Sequence, residues 1–486
     1  MSQSSATEST PTLKREFSLW TSFAFAFAFI SPIVALYGIF GLSYSVAGPS
    51  FWWNFILVFL GQLLVAMVFA ELVSVWPIEG SIYQWTTRLM GQGFGWMAGW
   101  FYMWTLVVAM ATVAIGAGGF VGRVIGIDPT ATAISIRGLS VTNQVVVGLV
   151  ILALGTVANI TGRGVLKVLM TGSIIAEVIG SLGLGILLLV GHRNNPVSVL
   201  TDGFSTDGYL SLSGPFLVTM AFVGFSFVGF ESAGSIAEEV RNPRKNVPKA
   251  VIFSIVFVAL VVIFTAFSLI ISIPPDIAAN SADPVYDTLN LLLGSGVAKF
   301  ALILFTIGFL ASFLALQTSA SRLIWAYSRD KALPGHESLS KLSSSQKQPV
   351  NALLLATTIG AIMMILSQVT PNFYALMINF TTGGFFLAFL FPLVGVAIAR
   401  VKKQWTPGPF NFGKFSSLIS FAALVWAIFM FLDISWPRAV FEQRFLDWSV
   451  AIAALGLLVI GLGIHATARG RITLVDVDAM DHDENG

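Results

Sequence analysis

Twelve apolar runs follow one another along this chain with short polar segments between them. They are 17–46, 50–75, 94–120, 142–159, 165–190, 214–239, 249–273, 297–322, 350–367, 373–399, 416–433 and 446–467. Each approaches or exceeds the ~20 residues that an α-helix needs to cross the hydrocarbon core of a bilayer. Helices and closed barrels alone satisfy every backbone polar group there, and continuous runs of this length are helical. Charge is correspondingly scarce, at 10% of the 486 residues against ~25% in a soluble domain. With 56% of its residues hydrophobic, the chain cannot cover a water-soluble globule with polar surface. Soluble enzymes, disordered proteins and nucleic-acid binders are excluded. The expected fold class is an all-α polytopic membrane protein with twelve transmembrane helices.

The basic residues set the orientation. With the N-terminus inside, 20 of the 26 Lys and Arg fall on the cytoplasmic side. The other six are Arg123, Arg137, Arg193, Lys299, Arg438 and Arg444. This asymmetry predicts both termini in the cytoplasm. Residues 1–16 read as a disordered cytoplasmic tail and 468–486 as an acidic one. The first apolar run lacks a small-residue cleavage site and reads as an anchor rather than a signal peptide. Trp52, Trp53, Trp96, Trp100, Trp405, Trp436 and Trp448 sit near span ends and are expected in interfacial belts.

Several chemistries find no residues. Cysteine is absent, so disulfides and thiolate chemistry are excluded. The four histidines lie in loops, at a helix end or in the tail. No metal-ligand set or nucleophile–base pair lies within the spans, so the chain reads as a non-enzyme. The segment 408–414, GPFNFGK, mimics a phosphate loop. Phe415 stands where the magnesium-binding hydroxyl belongs and no strand precedes it, so it reads as an inter-helix turn.

Helix breaks inside a bilayer occur where they line a cavity or are buried in protein. The first span carries Ser31-Pro32, then Gly38 and Gly41. Pro32 lacks an N–H and clashes one turn back. The sixth span carries Gly224, Gly229 and Gly234 around Glu231. Breaks in the first and sixth spans suggest an inverted repeat of five plus five helices, with substrate bound at the midplane. A carboxyl group at such depth is costly unless paired or protonated, and is a functional candidate. Glu231, Glu177 and Glu71 are the acids so placed. Gly91, Gly95, Gly99, Gly118 and Gly122 have the four-residue spacing of close helix contact.

Three segments resemble one family. The end of the second span, 71–83 (ELVSVWPIEGSIY), is similar to the signature of amino acid–polyamine–organocation permeases. So are the sixth span and its exit, 229–233 (GFESA) and 238–250 (EEVRNPRKNVPKA), and the eighth span's exit, 321–334 (SRLIWAYSRDKALP). The first span, with ISPI at 30–33 and Tyr37-Gly38, looks most like the amino acid/choline transporter branch. The resemblance covers about residues 17–467. It implies the LeuT-type fold, with a first repeat over 17–190, a second over 214–399 and peripheral helices over 416–467. It also implies secondary transport of an amino acid or related amine by alternating access at the plasma membrane (the cytoplasmic membrane in a bacterium), without an organic cofactor.

By the same resemblance the substrate site comprises Ser31, Pro32, Ile33, Val34 and Tyr37 of the first span. From the sixth it takes Phe225, Val228 and Gly229, whose carbonyls at Phe225 and Val228 match those that hold a substrate amine. Phe225 is also implied as a lid. Glu231 matches a gating or proton-sensitive acid, and Glu177 matches a lysine that stands in for sodium in a proton-dependent branch. Proton-coupled symport is the leading expectation. Gln317, Thr318 and Ser319 leave a sodium site open. Exchange, a choline, γ-aminobutyrate or polyamine substrate, and a substrate-sensing receptor without net flux are the alternatives. An aromatic cage for choline would draw on Tyr37, Phe225, Phe227 and Phe230.

Overall fold

The structure is a computed structural model that describes residues 15–474 apart from 137, 282, 345, 370–372 and 439–446. Most of the two tails, Arg137 and Arg444 lie outside the described residues. Among those described, eleven helical runs are long and apolar enough to cross a membrane, and Val350–Leu366 makes a shorter twelfth. At 1.5 Å per residue its 17 residues reach about 26 Å, close to the thickness of the hydrocarbon core. The chain thus has the twelve-helix architecture that the hydropathy pattern predicts.

The first span is in pieces: Leu19–Ile30, Pro32–Tyr37 and Phe40–Ala47. The second is Trp52–Val75, the third Gln92–Val124 and the fourth Asn143–Thr161. The fifth runs through Arg163–Val178, a π-helical turn at Ile179–Gly183, and Leu184–Gly191. The sixth is broken into Pro215–Val223, a tight turn Gly224–Phe227, and Ser232–Ser235. Pro243–Ser272, Ser295–Arg329, Val350–Leu366 and Phe373–Val401 are the seventh to tenth. Ser416–Ser435 and Ser449–Ala468 are the eleventh and twelfth. The second span packs along the seventh, and the third along the eighth. Both contacts are compatible with a five-plus-five repeat.

Loops add what hydropathy leaves out. A cytoplasmic helix, Ile82–Met90, follows the second span. On the external side lie a hairpin, Thr132–Ile136 with Leu139–Thr142, and two short helices, Pro275–Asn280 and Pro284–Leu293. Small residues set the closest helix approaches. A Cβ on Gly99 would lie 2.3 Å from the Tyr327 hydroxyl, and one on Gly118 would lie 2.1 Å from the Gln144 carbonyl.

Two expectations need correction. Trp96 and Trp100 are buried, and their indole N–H groups donate to Ala332 O and Leu457 O at 2.9 Å each. They lock helices together rather than float at the lipid interface, unlike the exposed Trp436 and Trp448. Glu71 is a structural pin. Its carboxylate accepts from Arg400, from Ser416 Oγ and from Phe412 N–H. It thereby ties the second span to the tenth and to the 408–414 turn, where Phe410 N–H also donates to Ser74 Oγ at 2.8 Å.

Candidate functional site

The break in the first span follows from Pro32, which has no N–H for Ala28 O. Ser31 turns to φ 52°, a conformation that costs a residue with a side chain about 1–3 kcal/mol. Its hydroxyl offsets part of that by making two bonds. It accepts from Val34 N–H at 3.2 Å and donates to Glu177 Oε2 at 2.7 Å. Val34 N–H is thus withdrawn from Ile30 O, its partner in a continuous helix. Phe29 O accepts instead from Ser312 Oγ of the eighth span at 2.9 Å. Glu177 is fully buried, and its Oε1 has no hydrogen-bond partner among the described residues. The π-helical turn begins two residues later and brings Gly180 O to the Tyr37 hydroxyl at 2.9 Å. Such turns recur at functional sites.

The sixth span breaks by a parallel device. Gly229 adopts φ 108°, which only glycine takes readily. Its N–H, which a continuous helix would spend on Phe225 O, goes to Glu231 Oε2 at 3.0 Å. Ser232 N–H turns from Val228 O to Gly229 O, also at 3.0 Å. The Phe225 and Val228 carbonyls, the positions that the family resemblance implies, therefore lose their i+4 donors of a continuous α-helix. A carbonyl so freed is an acceptor for a donor brought from outside, and an ammonium carries three. The other oxygen of Glu231 accepts from the Tyr102 hydroxyl of the third span at 3.1 Å.

The two breaks meet. Ser226 Oγ donates to Ala35 O at 2.6 Å, and the Phe29 ring lies directly over Gly229. The segment that carries Ser31, Pro32, Ile33 and Val34 thus touches the segment that carries Phe225, Val228, Gly229 and Glu231, while Ile33 packs on Gly180 and Gly308 and Glu177 joins through Ser31. Each break has its own carboxylate, one from a neighbouring span and one from within.

Tyr37 lies apart from them. It packs against Phe305 in a tilted pair, ring centroids 3.9 Å apart, and lines an external chamber of about 590 Å³. Phe120, Tyr374 and the ion-paired Arg123 and Asp283 complete its wall. Phe227 and Phe230 also turn away from the junction. The first packs on Phe55 and Phe59, the second on Phe69 and Phe389. Tyr37, Phe225, Phe227 and Phe230 do not form a cage. Gln317 and Thr318 face the fourth span, where Asn159 bonds to both at 2.8 and 2.7 Å. Ser312, not they, faces the first span.

On the cytoplasmic side a lattice of bonds ties the spans together. The backbone of Phe17 pairs in parallel with Val240, and Glu16 and Phe17 N–H both donate to Glu239 O at 2.9 Å. Arg322 Nε meets Glu239 Oε1 at 3.0 Å, and Arg329 holds both oxygens of Glu238 at 2.9 Å. Asp330 accepts from Gln84 Nε2 and the Tyr83 hydroxyl at 2.8 and 3.0 Å. This lattice joins the first, sixth and eighth spans to the first cytoplasmic loop. Tyr83, Glu238, Glu239, Val240, Arg322, Arg329 and Asp330 lie in the family motifs, whereas Glu16, Phe17 and Gln84 lie outside them.

The family model described as amino acid permease matches residues 17–462. The chain belongs to that family. The permease is 26% identical to a branched-chain amino acid permease of Bacillus subtilis, over 91% of this chain and 92% of the relative. It is 23% identical to the amino-acid permease BAT1 of Arabidopsis thaliana, over 88% and 86%. It is 28% identical to the methylthioribose transporter of Bacillus subtilis, over 80% and 82%. The permease is a multi-pass membrane transporter with a small-molecule substrate of the amino acid class. The family and the apolar helices place it at the plasma or cytoplasmic membrane.

Proposed function

We propose that this permease moves an amino acid with an apolar side chain in symport with a proton, with no chemical step on the substrate. The substrate ammonium sits on the Phe225 and Val228 carbonyls, between the two breaks. Ser31, Ile33, Val34 and the half-buried Phe225 line the pocket, with Phe225 as its lid. Proline at 32 offers no N–H to the substrate carboxylate, so recognition leans on the amine and the side chain. Branched-chain substrates are the first to test, because two of the relatives are named for them and the junction is lined by Phe, Ile and Val.

The observation that carries the coupling is Glu177. One oxygen is tied to the strained residue of the first break, the other has no hydrogen-bond partner among the described residues, and the Ile33 backbone also bears on the carboxylate. A buried carboxylate with no cation beside it costs several kcal/mol, so a proton bound there lowers the cost of the occluded state. Release of that proton on the cytoplasmic side restores the charge and frees the helix to reset. Glu231, bonded to Gly229 N–H and Tyr102, links the protonation state of the site to the shape of the second break.

The test is uptake of labelled leucine into proteoliposomes under an inward acid gradient. Valine, isoleucine, γ-aminobutyrate, choline, putrescine and methylthioribose serve as competitors. Accumulation that collapses with the gradient and is blocked by valine and isoleucine supports the reading. Competition by choline or putrescine alone moves the substrate class, and saturable binding without flux favours a receptor.

A further inference from the structure

Glu79 lies in the loop after the second span, outside the membrane-crossing helices, yet it is fully buried. Both of its carboxylate oxygens lack a hydrogen-bond partner among the described residues. Its backbone N–H donates to Glu238 Oε1 at 3.1 Å, so it sits within the cytoplasmic lattice. The charged groups that face it come from two elements. Glu238 and Glu239 lie on the sixth span's exit, and Arg322 and Arg329 on the eighth span. Asp330 adjoins Arg329 at 3.5 Å, and Arg244 caps the end of the second span through Val75 O at 2.9 Å.

Each guanidinium has another carboxylate as its ion-pair partner, while Arg329 Nε and Nη2 make no hydrogen bond among the described residues. Arg322 meets Glu239, and Arg329 holds Glu238 and adjoins Asp330. Asp330 also accepts from Gln84 and Tyr83. Glu79 is the acid of this cluster whose side chain accepts no hydrogen bond among the described residues. A buried carboxylate without partners is the arrangement proteins avoid by taking up a proton. Desolvation, reinforced by the carboxylates of Glu239 and Glu238, pushes its carboxyl well above the usual range, while Arg322 and Arg329 pull the other way.

We propose that Glu79 is a second proton-binding site of the transport cycle, loaded while the cytoplasmic face is sealed and emptied to cytoplasmic water when that face opens. Opening the lattice separates Glu79 from Glu238 and Glu239 and hydrates it. The carboxyl O–H bond then breaks, the proton passes to water, and the carboxylate remains. Resealing reverses the step. The sign follows from linkage. The sealed state binds one more proton than the open state between the open-state and sealed-state pKa values. Its advantage is full below that window and is lost as pH rises through it. The site rests on the transporter reading of the chain but not on Glu177.

The test needs neither substrate nor gradient, so its failure is distinct from a failure of proton-driven uptake. The chain has no cysteine, and Ser235 on the cytoplasmic piece of the sixth span is 1% exposed. In inside-out vesicles, the rate at which a membrane-impermeant thiol reagent labels Ser235→Cys reads opening of the seal. That rate should rise with pH, with one-proton linkage capping the slope at about tenfold per pH unit. Because Glu177 contributes its own linkage, the comparison is made in a Glu177→Gln background, where Glu79→Gln should flatten the profile and Glu79→Asp should retain it. Infrared difference spectra of wild type against Glu79→Gln at neutral pH should lose one neutral-carboxyl carbonyl band. An unchanged pH profile in Glu79→Gln, or no band lost, overturns the proposal. If Glu79→Gln does not fold, the infrared comparison is made with Glu79→Asp, where a neutral-carboxyl band that shifts supports the site and one that stays fixed overturns it.

Discussion

Gly229→Ala tests the junction of the two breaks by steric means. A Cβ at Gly229 would lie 2.3 Å from Phe29 Cδ1 and 2.7 Å from Cε1. The ring has nowhere to go, because Phe29 is 4% exposed and packs edge-on against Phe385 at 6.4 Å. Overpacking of this kind costs about 1–3 kcal/mol. The positive φ adds about 1–2 kcal/mol for any residue with a Cβ, so Gly229→Ala should cost ~2–5 kcal/mol. Phe29→Ala alone should cost ~3–5 kcal/mol through the lost side chain and the cavity it leaves. The double variant should recover the steric part, giving a favourable coupling of about 1–3 kcal/mol with the φ cost left in place. Equilibrium unfolding in mixed micelles of mild detergent and dodecyl sulfate measures all three. A cost below ~1 kcal/mol for Gly229→Ala, or strict additivity in the double variant, would refute the placement of Phe29 over the sixth-span break.

The other perturbations address the ion pairs. Arg322→Ala strips the guanidinium that faces the fully buried Glu239 and also removes a 2.6 Å bond to Gln348. Breaking a buried pair from one side costs about 3–5 kcal/mol, and the same unfolding assay should show it, with faster labelling at Ser235→Cys as the seal loosens. Arg400→Ala should cost less than Arg322→Ala, because Glu71 keeps Ser416 Oγ and Phe412 N–H. It should also leave substrate affinity unchanged, as measured by ligand-induced shifts in melting temperature.

How much of this was legible beforehand depended on whether the signal was local. The spans were legible because crossing a bilayer demands a continuous apolar run. The first break was legible because Pro32 cannot donate, and the sixth because Gly229 interrupts a span that also holds a carboxylate. Glu177 stood out by charge alone. What acts on these residues came from elsewhere in the chain and left no local mark. Tyr102 and Ser312 lie in spans with nothing to distinguish them from other polar residues. Gln317 and Thr318 carried suitable oxygens, but the rotation of the eighth helix gives them to Asn159. Trp96 and Trp100 had the position of interfacial residues, yet tertiary packing buried them. Glu79 sat within a family motif, and only the assembled lattice shows its side chain buried without a hydrogen bond among the described residues.

The most direct test of proton coupling is proton movement itself. Purified permease is placed in liposomes that enclose a pH-sensitive dye, with no gradient at the start, and leucine is added outside. The account predicts acidification of the lumen that follows leucine entry, and its loss in Glu177→Gln while leucine still shifts the melting temperature. Leucine entry at the full rate with no change in internal pH, or acidification undiminished in Glu177→Gln, would contradict it.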